Sequence, residues 1–227
     1  MIPITKPFLD QKESKAVEEV FRSGWVVQGP KVRAFEEKFA KFAGADYAIA
    51  TTSCTTALHL SLVTLGLKKG DEVIMPAYTF IATANVVEQQ GAKPVFVDIN
   101  PQTYNIDVSK IRQAITDKTK FIIPVHLFGL SADMKPILLL AKKYHLTVIE
   151  DAACAIGAQY HGRHVGTFGH AGCFSFHPRK IITTGEGGMV TTNDKKLAEK
   201  MVILRNHGAV ISDSKREKMK MALLADF

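Results

Sequence analysis

The sequence predicts an α/β fold, a mostly parallel central sheet with helices on both faces. Three observations point there. Short apolar runs alternate with helical stretches from Tyr47 to Glu150, the rhythm of repeated strand–helix–strand units. The runs Val95-Phe96-Val97 and Phe121-Ile122-Ile123 are apolar at successive positions, which suits parallel strands covered on both faces. Helical stretches stop at Gly66 and Gly91, residues suited to a left-handed C-cap.

The elements follow in order. Residues 10–22 read as an amphipathic helix with Val17, Val20 and Phe21 on one side, and Gly24-Trp25 and Gln28-Gly29-Pro30 break it. Residues 31–43 form a second helix with Val32, Phe35, Phe39 and Phe42 on one stripe. A short strand over 47–50 leads to Thr51-Thr52-Ser53, which caps a helix over 54–65. Strands over 72–75, 94–98, 120–125 and 146–150 then alternate with helices over 80–90, 109–115 and 134–144. The rhythm changes at 156–173, which is rich in Gly and His. Short strands at 172–176 and 189–192 follow, and Asn193-Asp194 caps a last helix over 195–205 that Gly208 stops. From Ser212 to Phe227 the chain is charged, has no clear partner element, and reads as cut before a next domain.

Composition narrows the function. The 227 residues carry a net charge of +7 with no run of five like charges. That spread suits an acidic small substrate and gives little support for nucleic acid. The three cysteines, Cys54, Cys154 and Cys173, form no CxxC pair, so neither a metal site nor a disulfide framework is expected. The first residues, Met1 to Pro7, lack the apolar segment of a signal peptide, and no apolar run reaches membrane-spanning length. A cytoplasmic protein without a membrane partner is the expectation.

In an open parallel sheet, ligands sit beyond the carboxyl ends of the strands. Four groups of residues fall there. Phe174-Ser175-Phe176-His177-Pro178-Arg179-Lys180 precedes Gly185-Glu186-Gly187-Gly188-Met189-Val190. A lysine held between two strand ends can lose its proton near neutral pH and attack a carbonyl as a Schiff-base nucleophile. The Ser175 hydroxyl can hold a phosphate. Lysine plus phosphate anchor describes a pyridoxal-phosphate site, although a lone lysine after a strand is ordinarily a solvated one. Ser53-Cys54-Thr55-Thr56 opens a helix whose N–H groups attract a phosphate. Taken alone it reads first as a plain N-cap, and without glycines it is no P-loop. Asp151 ends a strand, where a carboxylate can keep a ring nitrogen protonated and so make the ring a better electron sink, or can simply cap 152–155. Phe80 follows a strand end and can stack on a planar ring or pack in the core.

As an ordered set these residues resemble the DegT-type (StrS-like) sugar aminotransferases, pyridoxal-phosphate enzymes of fold type I. The matching pieces are Ser53-Cys54-Thr55-Thr56-Ala57-Leu58, Pro76–Asn85, Val125-His126-Leu127-Phe128-Gly129, Glu150–Ala158, the Lys180 motif and Arg205-Asn206-His207-Gly208. The resemblance implies that Lys180 is catalytic, forms the Schiff base with the cofactor and later moves protons. It implies that Asp151 pairs with the ring nitrogen and Phe80 stacks on the ring, while Thr55, Thr56 and Ser175 hold the phosphate, the threonines largely through backbone N–H groups. Cys154 stands where the family often has Gln or His near the cofactor's phenolic oxygen, and is a weak hydrogen-bond partner. Cys54 stands where the family often has Gly. His177 lies beside the lysine with no assigned role. A branch of the family with His in place of the lysine performs deoxygenation, so Lys180 favours transamination.

The implied function is transfer of an amino group, from an amino-acid donor such as glutamate, to a keto-sugar on a nucleotide diphosphate. It belongs to amino-sugar and polysaccharide biosynthesis, by a homodimer. The implied layout is an N-terminal arm and helix (1–30), a cofactor-binding large domain (31–210) and a tail (211–227) without a family match. The family's small C-terminal domain, with a segment reaching the partner's phosphate, is missing. An alternative is an inactive truncated remnant that at most binds cofactor. A nicotinamide oxidoreductase is disfavoured, because no G-x-G-x-x-G follows a strand.

Overall fold

A computed structural model describes residues 5–210 of the chain. The tail over 211–227 and the first four residues lie outside the described residues. Helix α1 (Gln11–Ser23) starts at a reciprocal cap, with Asp10 accepting from Lys12 N–H and Glu13 accepting from Asp10 N–H, and ends at Gly24. None of its residues is buried, so the apolar side expected at Val17, Val20 and Phe21 is not seated on the described residues. Helix α2 (Pro30–Ala43) begins with proline at a position where its missing N–H costs nothing.

The alternation follows as β1 (Tyr47–Thr51), α3 (Cys54–Leu65), β2 (Glu72–Pro76), α4 (Ala82–Glu88), β3 (Lys93–Val97), α5 (Val108–Ala114), β4 (Thr119–Ile122), α6 (Met134–Tyr144) and β5 (Thr147–Asp151). The glycine-rich stretch holds a small hairpin, β6 (Gln159–Tyr160) and β7 (Arg163–His164), too short to leave an alternating pattern in the sequence. Its turn is His161-Gly162, both at positive φ, the geometry that matches strand twist in a two-residue hairpin loop. The chain returns to the main sheet as β8 (Ala171–Ser175) and β9 (Gly188–Thr192), then closes with α7 (Lys195–Arg205), capped by Asp194.

The seven strands lie in the order β1-β9-β8-β5-β4-β2-β3. All pairings are parallel except those of β9, which runs against both β1 and β8. Helices cover both faces. Leu58 and Leu62 of α3, Val87 of α4 and Met201 of α7 pack on one face. Ile111 of α5 and Ile137 of α6 pack on the other. Phe121 to Ile123 are buried as their apolar run requires, but β3 is one of two edge strands and Phe96 is 55% exposed. The expected cover holds on the face of Val95 and Val97, which pack in the core, and fails on the opposite face at Phe96.

Strand alternation explains the Phe-Ser-Phe motif. Phe174 and Phe176 point to one side of β8, where they pack against Phe39 of α2 at ring distances of 5.0 and 5.5 Å. Ser175 between them faces the other side. The aromatics fix the strand, and the strand delivers the hydroxyl.

Candidate active site

A cleft of about 470 Å³ opens beyond the carboxyl ends of β2, β4, β5 and β8. It gathers Thr55, Phe80, Asp151, Cys154, Ser175 and Lys180 from five segments of the chain. Thr56 is not among its lining residues. The Thr56 hydroxyl accepts from Ser53 N–H at 2.9 Å, and its N–H donates to Ser53 Oγ at 3.1 Å, closing the cap of α3. Helix geometry leaves the first-turn N–H groups without helical partners. The cap takes that of Thr56, and Ala57 N–H goes to the Ser53 carbonyl at 3.0 Å, which leaves Cys54 and Thr55 at the positive end of the helix.

The junction is tight because of Gly188. This residue pairs with both Ser175 and Thr51. A Cβ there would lie 2.3 Å from the Ser53 carbonyl group, closer than any real carbon approaches. Only glycine lets the start of α3 sit flush on β9, beside the Ser175 hydroxyl.

Asp151 ends β5 and is 4% exposed. Its Oδ1 accepts from Ala153 N–H at 3.1 Å, and its Oδ2 accepts from Thr83 Oγ1 at 2.9 Å. Burial pushes its proton affinity above the ordinary carboxylate value, against the lowering effects of these donors and of His126 and Lys180. A buried carboxylate of this kind favours a cationic partner.

Lys180 lies on the β8–β9 connection, half-buried, with Nζ 2.9 Å from Cys154 Sγ. Of the cysteines, Cys54 and Cys173 are buried. Burial raises both of their thiols, and the Asp151 charge adds to the effect. Phe80 is 74% exposed at the cleft, with its carbonyl accepting from Thr83 N–H at 3.0 Å. Helix α4 starts after it, at Ala82 rather than at residue 80 as expected. His177 is half-exposed. Its Nδ1 accepts from Arg179 N–H at 3.2 Å, and its Nε2 lies 4.0 Å from Glu186.

Three residues of this arrangement had no role in the sequence reading. Thr83 holds Asp151. His126 and Glu150 are wholly buried, with His126 Nε2 2.9 Å from Glu150 Oε2. His126 Nδ1 accepts from Ala132 N–H at 3.1 Å, so the ring proton sits on Nε2 and is donated to Glu150. Glu150 also accepts the N–H groups of Gly166, Phe168 and Gly169, each at 2.7 Å. Adjacent strand residues face opposite sides; thus Glu150 ties the loops behind the sheet while Asp151 faces the cleft.

The topology, with a lysine on the connection between β8 and a reversed β9 beside a buried carboxylate, defines an aminotransferase scaffold of fold type I. The family model for the DegT/DnrJ/EryC1/StrS aminotransferase family matches residues 7–224, a span that takes in most of the stretch over 211–227 expected to lack a match, and the chain belongs to that family. It is 50% identical over 208 residues to GDP-perosamine synthase of Caulobacter vibrioides, covering 91% of this chain and 56% of the relative. It is 46% identical over 207 residues to the spore coat polysaccharide biosynthesis protein SpsC of Bacillus subtilis, covering 91% and 53%. An aminotransferase of known structure from Psychrobacter cryohalolentis superposes with a TM-score of 0.87 at 47% identity, over 90% of this chain and 53% of that one. The chain spans about half the length of the curated relatives it matches. Among the described residues, no helix is long and apolar enough to cross a membrane.

Proposed function

We propose that this chain carries the cofactor-binding half of a pyridoxal-phosphate-dependent aminotransferase that moves an amino group from an amino acid such as glutamate to a keto-sugar on a nucleotide diphosphate. One observation carries the reading. A primary amine, a buried carboxylate and a helix N-terminus converge on a single cleft at the carboxyl end of the sheet. A reactive amine, a ring-nitrogen partner and a phosphate cradle are the three groups that pyridoxal phosphate requires.

The residues fit that group. Gly188 leaves the cradle open between Ser53 and Ser175, and the exposed Phe80 ring is free to stack on a planar face. Bound pyridoxal phosphate would supply the electron sink for amino transfer. The chain's own residues do the rest. Thr55 and Cys54 offer backbone N–H groups, and Ser175 its hydroxyl, to the phosphate. Asp151 holds a proton on the ring nitrogen. Lys180 supplies the amine that binds the cofactor and later carries a proton at Nζ. Cys154 sits against that amine, where the family's larger polar side chains face the phenolic oxygen. The two curated relatives named above are a sugar-nucleotide synthase and a polysaccharide biosynthesis protein, which supports a nucleotide-linked sugar as acceptor.

The test is spectroscopic. Purified chain mixed with pyridoxal phosphate is expected to develop a visible band that borohydride fixes covalently at Lys180. Lys180→Ala is expected to abolish both. A borohydride-stable adduct in the Lys180→Ala protein would overturn the assignment. Acceptor chemistry is read separately, from glutamate-dependent amination of nucleotide-linked keto-sugars.

A further inference from the structure

Thr83 is 1% exposed and lies in the first turn of α4. A carboxylate only accepts hydrogen bonds, so the Thr83 hydroxyl spends its single proton on Asp151 Oδ2, 2.9 Å away. Thr83 Oγ1 also lies 3.1 Å from Thr79 Oγ1. With the Thr83 proton committed, Thr79 must be the donor in that contact. The result is a directed chain, Thr79 to Thr83 to Asp151, along the wall of the cleft that all three residues line. Thr83 N–H holds the Phe80 carbonyl at 3.0 Å. One residue therefore grips, by backbone and by side chain, the two groups set to contact the cofactor ring.

We propose that Thr83 is a positioning residue that fixes the Asp151 carboxylate in its ionised form and in register with Phe80, with Thr79 as its relay. The proposal rests on the cofactor reading for its consequence, but not for its geometry. Asp151 Oδ1 is anchored by the backbone of its own loop, whereas Oδ2 depends on the Thr83 side chain. Removing that hydroxyl leaves one carboxylate oxygen in a dry site without its donor, which favours the protonated acid.

Thr83→Val keeps the shape and deletes the hydroxyl, Thr83→Ser restores it, and Thr79→Val removes only the relay. Two measurements decide the matter. In protein loaded with pyridoxal phosphate, the pH at which the visible band changes form is expected to rise by about one unit or more in Thr83→Val. It should return in Thr83→Ser and move less in Thr79→Val. In cofactor-free chain, the pH dependence of urea unfolding, taken as the difference between each protein and its Asp151→Asn counterpart, isolates Asp151, and the pH midpoint of that difference is expected to rise in Thr83→Val and not in Thr83→Ser. Absence of any band in the parent chain would sink the cofactor reading alone, and the unfolding series would still judge Thr83. A folded Thr83→Val protein, by circular dichroism, whose Asp151 pH midpoint matches that of the parent would overturn the proposal.

Discussion

The ε-amine of Lys180 rests 2.9 Å from the thiol of Cys154, and both line the same cleft. Any group added to that sulfur occupies the space the amine needs. Cys154 is half-exposed while Cys54 and Cys173 are buried, with thiols held protonated by burial. Because the thiolate is the nucleophile, iodoacetamide is expected to label Cys154 well ahead of the other two. Labelled protein should lose the Lys180–cofactor band, and Cys154→Ser should resist that loss. Peptide mass mapping after brief labelling checks the order of reaction.

Gly188 tests the cradle. Gly188→Ala places a methyl group 2.3 Å from the Ser53 carbonyl. Backbone must shift, at a cost of about 1–3 kcal/mol, and the start of α3 should move away from Ser175. Gly185→Ala is the control, since that glycine is at φ +82 with nothing within 4 Å. It should cost about 1 kcal/mol of backbone strain without touching the cradle. Urea unfolding gives the stabilities, and cofactor affinity should fall in the first variant far more than in the second.

Asp151 sets function against stability. Its folded-state proton affinity is raised, chiefly by burial, so its charged form weighs against folding of the cofactor-free chain. Below the unfolded carboxylate pKa near 3.9, both states hold the proton and the penalty vanishes. As pH climbs through the raised folded value, the penalty grows and then stays constant. Asp151→Asn is therefore expected to be more stable than the parent at pH 7, with the gap closing below about pH 4. The same variant should bind pyridoxal phosphate more weakly. A parent chain more stable than Asp151→Asn at neutral pH would show that the Thr83 and Ala153 donors outweigh burial.

Glu150 is expected to be a structural tie. Its carboxylate receives three backbone N–H groups and His126. Glu150→Gln puts an amide NH₂ among donors and leaves at least one of them unpaired. The expected loss is about 2–4 kcal/mol, read as a lower urea midpoint. His126→Gln, which keeps a donor for Glu150, should lose less.

Much of this was legible in the residues. The helix over 134–144 and the one over 195–205 match α6 and α7 residue for residue, α7 with the Asp194 cap read for it and α6 on its periodicity alone, without a side-chain cap. The cap at Ser53 was read from a hydroxyl before an apolar run. What stayed hidden depended on long-range partners. Thr83 sits one helical turn from Thr79, a spacing visible in the sequence, but its partner Asp151 is 68 residues away. Glu150 and Asp151 are neighbours that diverge to opposite faces, and only the sheet decides which one meets the cleft. The reversed direction of β9 left no trace in hydrophobicity, since a fully buried strand reads alike in either sense. Thr56 reads as a cradle residue from its place in the motif, yet cap chemistry claims its N–H.

The reversal of β9 also sets a timetable. Strand β1 is an edge strand whose sheet neighbour is β9. On the ribosome, residues 47–51 emerge first and their hydrogen-bonding edge has no mate until residue 192 has been made. At about 5–20 residues per second, that wait is on the order of ten seconds. Through that interval the nascent chain carries an open strand, and the last stretch of the sheet to be synthesised is the one that closes its beginning.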